Sequence, residues 1–144
     1  MLDLTAVFKE IKIIRFDTDA DLLLELRQYV KDINIKNAVI LNGIGSSKSY
    51  SYHVVSSPEL PPGEMFPKEN KPLDICAMQW YILDGRVYAH IIFSDEKIAF
   101  GGHLEEGVRI LTFSIVTLGV TGDDFDISKW DKINLGKWLP GYYS

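Results

Sequence analysis

The chain has 144 residues, 47% of them hydrophobic and 24% charged, with 15 Lys and Arg against 20 Asp and Glu for a formal net charge of −5. A chain of this size buries a core without disulfides or a structural metal, and its single cysteine, Cys76, excludes an internal disulfide and points to a reducing, cytoplasmic setting. Its longest apolar runs fall far short of the roughly 20 residues a membrane helix needs, and a pI of about 5.1 opposes direct duplex binding unless the basic residues cluster.

The opening MLDLTAVFKEIK lacks a signal-peptide pattern. Phe8, Ile11, Ile13, Ile14 and Phe16 partly alternate with Lys9, Lys12 and Arg15, which predicts a strand buried on one face. A helix follows, with Thr18 as N-cap and Asp21 in position to meet free backbone N–H groups. Leu22, Leu26, Tyr29 and Ile33, widened by Leu23 and Val30, form its apolar stripe. Ala38-Val39-Ile40-Leu41 reads as a short buried strand. It runs into Asn42-Gly43-Ile44-Gly45-Ser46-Ser47, where the favoured reading is a tight connection needing positive φ. A dinucleotide fingerprint would need glycine at 48, where Lys48 stands.

Tyr50 to Val55 is again strand-like, with His53 on the face of Ser49, Ser51 and Val55. Residues 56–72 carry five of the six prolines and predict a long loop or flap, a kind of segment that is more often functional or interfacial than idle. Strands are then expected at Leu73–Leu83, Arg86–Phe93 and Val108–Val120, the first two joined by an Asp84-Gly85 hairpin turn. The last of these is apolar on both faces: Leu111, Phe113 and Ile115 on one, Ile110, Val116 and Leu118 on the other. With one convincing helix in the chain, a partner subunit is the candidate cover for the second face. The aromatic segment 123–144, with Trp130, Trp138, Tyr142 and Tyr143, is expected to pack as an arm over the domain or a neighbour.

Three histidines exist, His53, His90 and His103, each on or next to a predicted strand. Three neutral imidazoles with an open fourth position suit a zinc-like ion. The spacing is no recognised metal signature, so hydrogen-bonded polar residues on strands stand as the alternative. In Phe100-Gly101-Gly102-His103-Leu104-Glu105-Glu106-Gly107, the paired glycines permit close approach of a ligand or another strand. Tyr88 and His90 share a strand face. Glu105 and Glu106 are candidate acids, bases or partners for a ligating His, against a reading as solvated turn carboxylates. Cys76, between Ile75 and Ala77, reads as a small buried hydrophobe.

The ordered set of an amphipathic helix, Ala38 to Ser46, Leu73-Asp74-Ile75, Asp84 to His90 and Gly101-Gly102-His103-Leu104 resembles the plants-and-prokaryotes-conserved domain family over about residues 8 to 134. The resemblance implies one α/β (α+β) domain over 1–144, with a mainly antiparallel sheet packed by one principal helix and assembly as a homotrimer. It also implies a His-lined pocket near the subunit interface. Two His commonly alternate in the family's strand motif; here His90 matches the second and Tyr88 stands at the first, with His53 able to supply the missing ligand. The expected metal set is then His53, His90 and His103, holding a divalent ion such as zinc, and the expected ligand-pocket residues are Gly43, Gly45, Tyr88, Gly101 and Gly102. Bacterial and archaeal members are described as candidate DNA-binding proteins, and plant relatives carry a separate AT-hook. No Arg-Gly-Arg-Pro hook occurs here, and the plant partner-binding motif lines up with Lys71 to Cys76, where only the acid and Ile75 are kept in kind.

The favoured function is a binding or regulatory module with a metal or small-ligand pocket, and self, a small ligand or a protein as partners. The alternative is a metal-dependent enzyme using the three His with Glu105 or Glu106 as general base. Along the sequence the basic residues do not gather: Lys9, Lys12, Arg15, Arg27, Lys31 and Lys36 are spread over three elements, and Lys129, Lys132 and Lys137 lie in the tail. A trimer would carry three times −5, or −15, which opposes direct DNA contact.

Overall fold

Strand β1 (Phe8–Asp17) alternates as its sequence requires, burying Phe16 and turning Ile11 and Ile13 outward. These positions come from a computed structural model, which describes Met1, residues 3–122 and Phe125. Helix α1 (Leu22–Asp32) is capped by Asp21 and not by Thr18. Thr18 gives its hydroxyl proton to the Thr112 carbonyl at 3.0 Å, and Asp19 has φ +70°, which breaks helical geometry. The Asp21 carboxylate instead accepts from Leu24 N–H at 3.1 Å and from Gly107 N–H at 2.8 Å, tying the helix start to the 105–109 connector. Leu22, Leu23, Leu26 and Val30 are buried, each contributing about 1.5–3 kcal/mol relative to exposure.

The two strands expected on either side of Asn42 to Ser47 are one, β2 (Ala38–Val55), which bends through register shifts at 40–42 and 45–47 instead of turning. Gly45, at φ +155°, lies where any Cβ would strike the Phe113 carbonyl and Ser114 of the crossing strand. A short β3 (Glu64–Met65) pairs with the end of β2. Strand β4 (Lys68–Leu83) starts five residues before the expected Leu73, and the Asp84-Gly85 hairpin, at φ +50° and +75°, joins it to β5 (Arg86–Ser94). Then come β6 (Ala99–Leu104), which the sequence reading did not anticipate as a strand, and β7 (Ile110–Thr121).

These form one antiparallel sheet in the order β1-β7-β2-β4-β5-β6, with β6 pairing back onto the far end of β2. That second pairing curls β2, β4, β5 and β6 around an aromatic cluster of Tyr50, Tyr52, Phe93 and Phe100, with ring centroids 5.1–6.3 Å apart. The inner face of β7, Ile110, Val116 and Leu118, is fully buried. On the other face Ile11, Ile13, Ile44 and Leu111 are exposed, Ile13 by 73%. Cys76 is also exposed, correcting its reading as a buried hydrophobe: the register shift between Ile75 and Ala77 turns it outward, its Sγ 3.0 Å from Ser94 Oγ. The folded chain also gathers some of the charge that looked dispersed, for Arg27 and Lys31 of α1 and Arg86 of β5 line one groove. Among the described residues no helix is long and apolar enough to cross a membrane. The aromatic arm expected at 123–144 lies outside the described residues except for Phe125, which is buried with its ring 6.0 Å from Tyr81.

Candidate functional site

Strand register brings the three histidines into one row. His53 of β2 stands directly opposite His103 of β6, and His103 stands directly opposite His90 of β5. Directly opposed residues on adjacent strands have Cβ atoms about 4.5–5.5 Å apart and project to the same face. The His53 and His103 rings stack at 4.4 Å, and the His90 ring meets His103 edge-on at 5.5 Å. The paired glycines make this row possible. A Cβ on Gly101 would collide with the Ile91 carbonyl, and one on Gly102 with the His53 carbonyl, so β6 fits between β5 and β2 only without side chains there.

The row lines a cleft of about 520 Å³, completed by Glu64, Phe66, Trp80, Tyr88 and Glu105. Trp80 reaches it through an irregular backbone. Its neighbours Met78 and Ile82 are buried inside, and simple alternation would send Trp80 inward with them. At φ +135°, a conformation that costs a non-glycine residue about 1–3 kcal/mol, its ring instead packs 4.6 Å from His90 and 5.7 Å from His103.

Adjacent glutamates are sorted to different tasks. The 105–109 connector is pinned by the Ser49 hydroxyl, which donates to Gly107 O at 2.6 Å and accepts from Arg109 N–H at 3.0 Å. Glu105 then points into the cleft, where His53 Nδ1–H donates to its Oε1 at 2.5 Å; Glu106 points away and pairs with Arg27 at 2.6 Å. An ionised carboxylate can only accept, so this bond places the His53 proton on Nδ1 and leaves the Nε2 lone pair available, 3.9 Å from Glu64 Oε1. Burial, followed by the proximity of His53 and His90, lowers the His103 imidazole to about 4; burial and His53 also lower His90. Both are neutral at pH 7, the form that ligates metals.

This depression has a sign that can be measured. In the unfolded chain His103 titrates near 6.5, so between pH 6.5 and about 4 the unfolded state binds more protons and stability falls as pH is lowered. The expected loss in metal-free protein is about 1–2 kcal/mol, after discounting for partial exposure. Urea unfolding at pH 7 and pH 4.5 should show it, and His103→Asn should shrink the difference. A variant with an unchanged difference would remove His103 as its source.

In chemistry the donor set fits a divalent ion: two neutral imidazoles, and a third held in its ligating tautomer by a carboxylate. In the present rotamers, however, no group of three His, Cys, Asp or Glu among the described residues stands at metal-holding spacing, because His53 and His103 are stacked. Holding an ion requires those rings to rotate apart. Of the expected pocket residues, Tyr88 and Gly102 line the cleft. Gly43 packs on Met78, Gly45 on β7 and Gly101 on the backbone of β5, so these three serve strand approach. Sequence reasoning missed Glu64, Phe66 and Trp80. The first two lie in the 56–72 segment that was singled out for its prolines, but nothing in their spacing pointed to His53.

The Plants and Prokaryotes Conserved (PCC) domain matches residues 6–121 of the chain. Among solved structures it is similar to a metal-containing protein from Archaeoglobus fulgidus, at 17% identity and TM-score 0.71 over 85% of this chain and 87% of that one. It is similar as well to a plant- and prokaryote-conserved (PPC) protein from Pyrococcus horikoshii, at 20% identity and TM-score 0.70 with the same coverage. A third, from Bacteroides thetaiotaomicron and described as a candidate DNA-binding protein, matches at 14% identity and TM-score 0.67 over 80% and 83%. No curated protein matches the chain. At these identities the likeness establishes the fold.

Proposed function

We propose, since this chain belongs to the Plants and Prokaryotes Conserved (PCC) domain family, that it is a binding and regulatory module whose ligand enters the cleft of His53, His90 and His103. The observation that carries this reading is the register that sets three histidines opposite one another on three neighbouring strands, the first of them oriented by Glu105. Among the described residues the lining has two carboxylates, Glu64 and Glu105, and no Lys or Arg, so it favours a cation. A divalent metal such as zinc is the occupant with the best chemical match, held by His53, His90 and His103. When bound, it would supply a Lewis-acidic centre for a small anionic or carbonyl ligand. That one similar structure is of a metal-containing protein supports this choice. Glu105 is engaged in orienting His53, a supporting role that suits binding better than general-base catalysis. Elemental analysis of the purified protein tests the reading: about one metal per chain is expected, and a protein that neither carries nor takes up metal would leave the cleft to an organic cation.

The module acts as a homotrimer that buries the outer face of Ile11, Ile13, Ile44 and Leu111, an exposed apolar patch of the kind that marks interfaces. Light scattering is expected to give three times 16.3 kDa. Ile13→Glu, which puts an unpaired charge in the interface, should return it to one chain. A wild-type monomer would overturn this part of the reading. Regulation proceeds through ligand or partner and not through direct DNA contact, given the net charge of −5 per chain. A labelled duplex should show no shift at physiological salt.

A further inference from the structure

The edge of β5 opens a second groove, which meets the His cleft at Tyr88 and His103. β6 pairs with β5 only between the His90–His103 and Ser94–Ala99 positions. From Arg86 to Ala89, the edge of β5 facing away from β4 therefore has no strand beside it among the described residues. Past Leu104 the chain turns off toward β2, Glu105 N–H donating to Ser51 O at 3.1 Å. The space that β6 would have continued into is a groove of about 680 Å³.

One wall of this groove is Gly85, Arg86, Val87 and Tyr88, and the other is α1 with its following turn. Three consecutive strand residues, Arg86, Val87 and Tyr88, line a groove only when the strand is met edge-on, since neighbours along a strand point to opposite faces. His103, the last paired residue of β6 on this side, stands at one end. Among the described residues three cations line it, Arg27, Lys31 and Arg86, and no carboxylate does, in a chain of net charge −5. Arg27 shares its charge with Glu106.

A strand edge flanked by a helix is the arrangement that accepts an added strand: main-chain hydrogen bonds supply affinity, and the walls read the side chains. We propose that this groove binds an extended acidic segment of a partner protein, laid along β5 on the line of β6. At roughly 3.3 Å per residue, the edge from Arg86 to Ala89 holds about four residues of that segment. Its acidic side chains meet Lys31, Arg86 and Arg27. A small anion could use the cations but would leave the backbone edge to water, so the edge selects a peptide.

The test is fluorescence anisotropy of the full chain with a short labelled peptide alternating Glu and Val, beside the same peptide N-methylated at alternate amides. Saturable binding is expected for the first and none for the second. Lys31→Glu with Arg86→Glu should weaken binding about tenfold, the loss expected for two surface ion pairs. Both side chains are exposed, and circular dichroism together with unchanged metal uptake at the His cleft would show that the variant folds. Equal binding of the two peptides, no saturable binding at low salt, or a charge-reversed variant that changes the oligomeric mass, which would assign the groove to a second copy of the chain, overturns the proposal.

Discussion

The His103→Ala variant is expected to lose zinc affinity by more than about 100-fold while keeping wild-type helix and strand content. Disturbing only the hydrogen-bond partner of a metal ligand typically costs 10–100-fold, and His103 is the central member of the row, opposed to His53 on one side and His90 on the other. The remaining two imidazoles have no third nitrogen between them. The fold should tolerate the change, because β6 is held by its ladders to β5 and β2 and its histidine ring is only partly buried. Glu105→Gln offers a graded comparison. It removes the charge that holds His53 in its tautomer and should cost about tenfold. A competition titration against a chelator reads both values, and wild-type affinity in His103→Ala would falsify a His-based site.

The largest expected effect on stability belongs to Gly101→Ala, which should cost about 3 kcal/mol or more. The added methyl would overlap the Ile91 carbonyl oxygen and lie 2.9 Å from the Ile91 carbonyl carbon and 3.1 Å from Ile92 Cα. These are backbone atoms of β5, which cannot retreat without breaking the pairing that aligns His90 with His103. Against a typical stability of 5–15 kcal/mol, that loss should appear as a clear fall in the urea midpoint. It should also weaken zinc binding, since the shifted β6 carries His103 out of the row. Gly122→Ala is the control: the nearest atom is Lys9 Cε at 3.4 Å, the far end of a flexible side chain, and the change should stay within about 0.5 kcal/mol. Equal midpoints for the two variants would mean that β6 is not wedged between β5 and β2 as described.

Much of the architecture could be read from local chemistry. Partial period-two alternation marked β1, a run apolar on both faces marked β7, the Leu22 to Val30 stripe marked α1, and Asp84-Gly85 marked the β4–β5 turn because both positions tolerate positive φ. The three histidines stood out as candidates from residue type and from lying on or next to predicted strands. Their partners were not legible. Alternation tells which face a side chain takes but not which strand lies next to it, so the return of β6 to β2 could not be read from Gly101-Gly102-His103. Trp80 escaped because its backbone breaks the alternation that would have placed it inside. Glu64 and Phe66 escaped because a proline-rich stretch offers no period to follow. Part of the apparent dispersion of basic residues was lost for a related reason: Lys31 and Arg86 are far apart in sequence and line one groove only where α1 lies along the edge of β5 that no described strand covers.

Because the chain holds only three histidines, long-range ¹H–¹⁵N spectra of the imidazoles during a zinc titration report directly on the cleft. All three rings should shift together and saturate at about one equivalent per chain, with His53 keeping its proton on Nδ1 against Glu105. Spectra in which His53, His90 and His103 respond separately, or in which any one stays unchanged at saturation, would contradict a shared site.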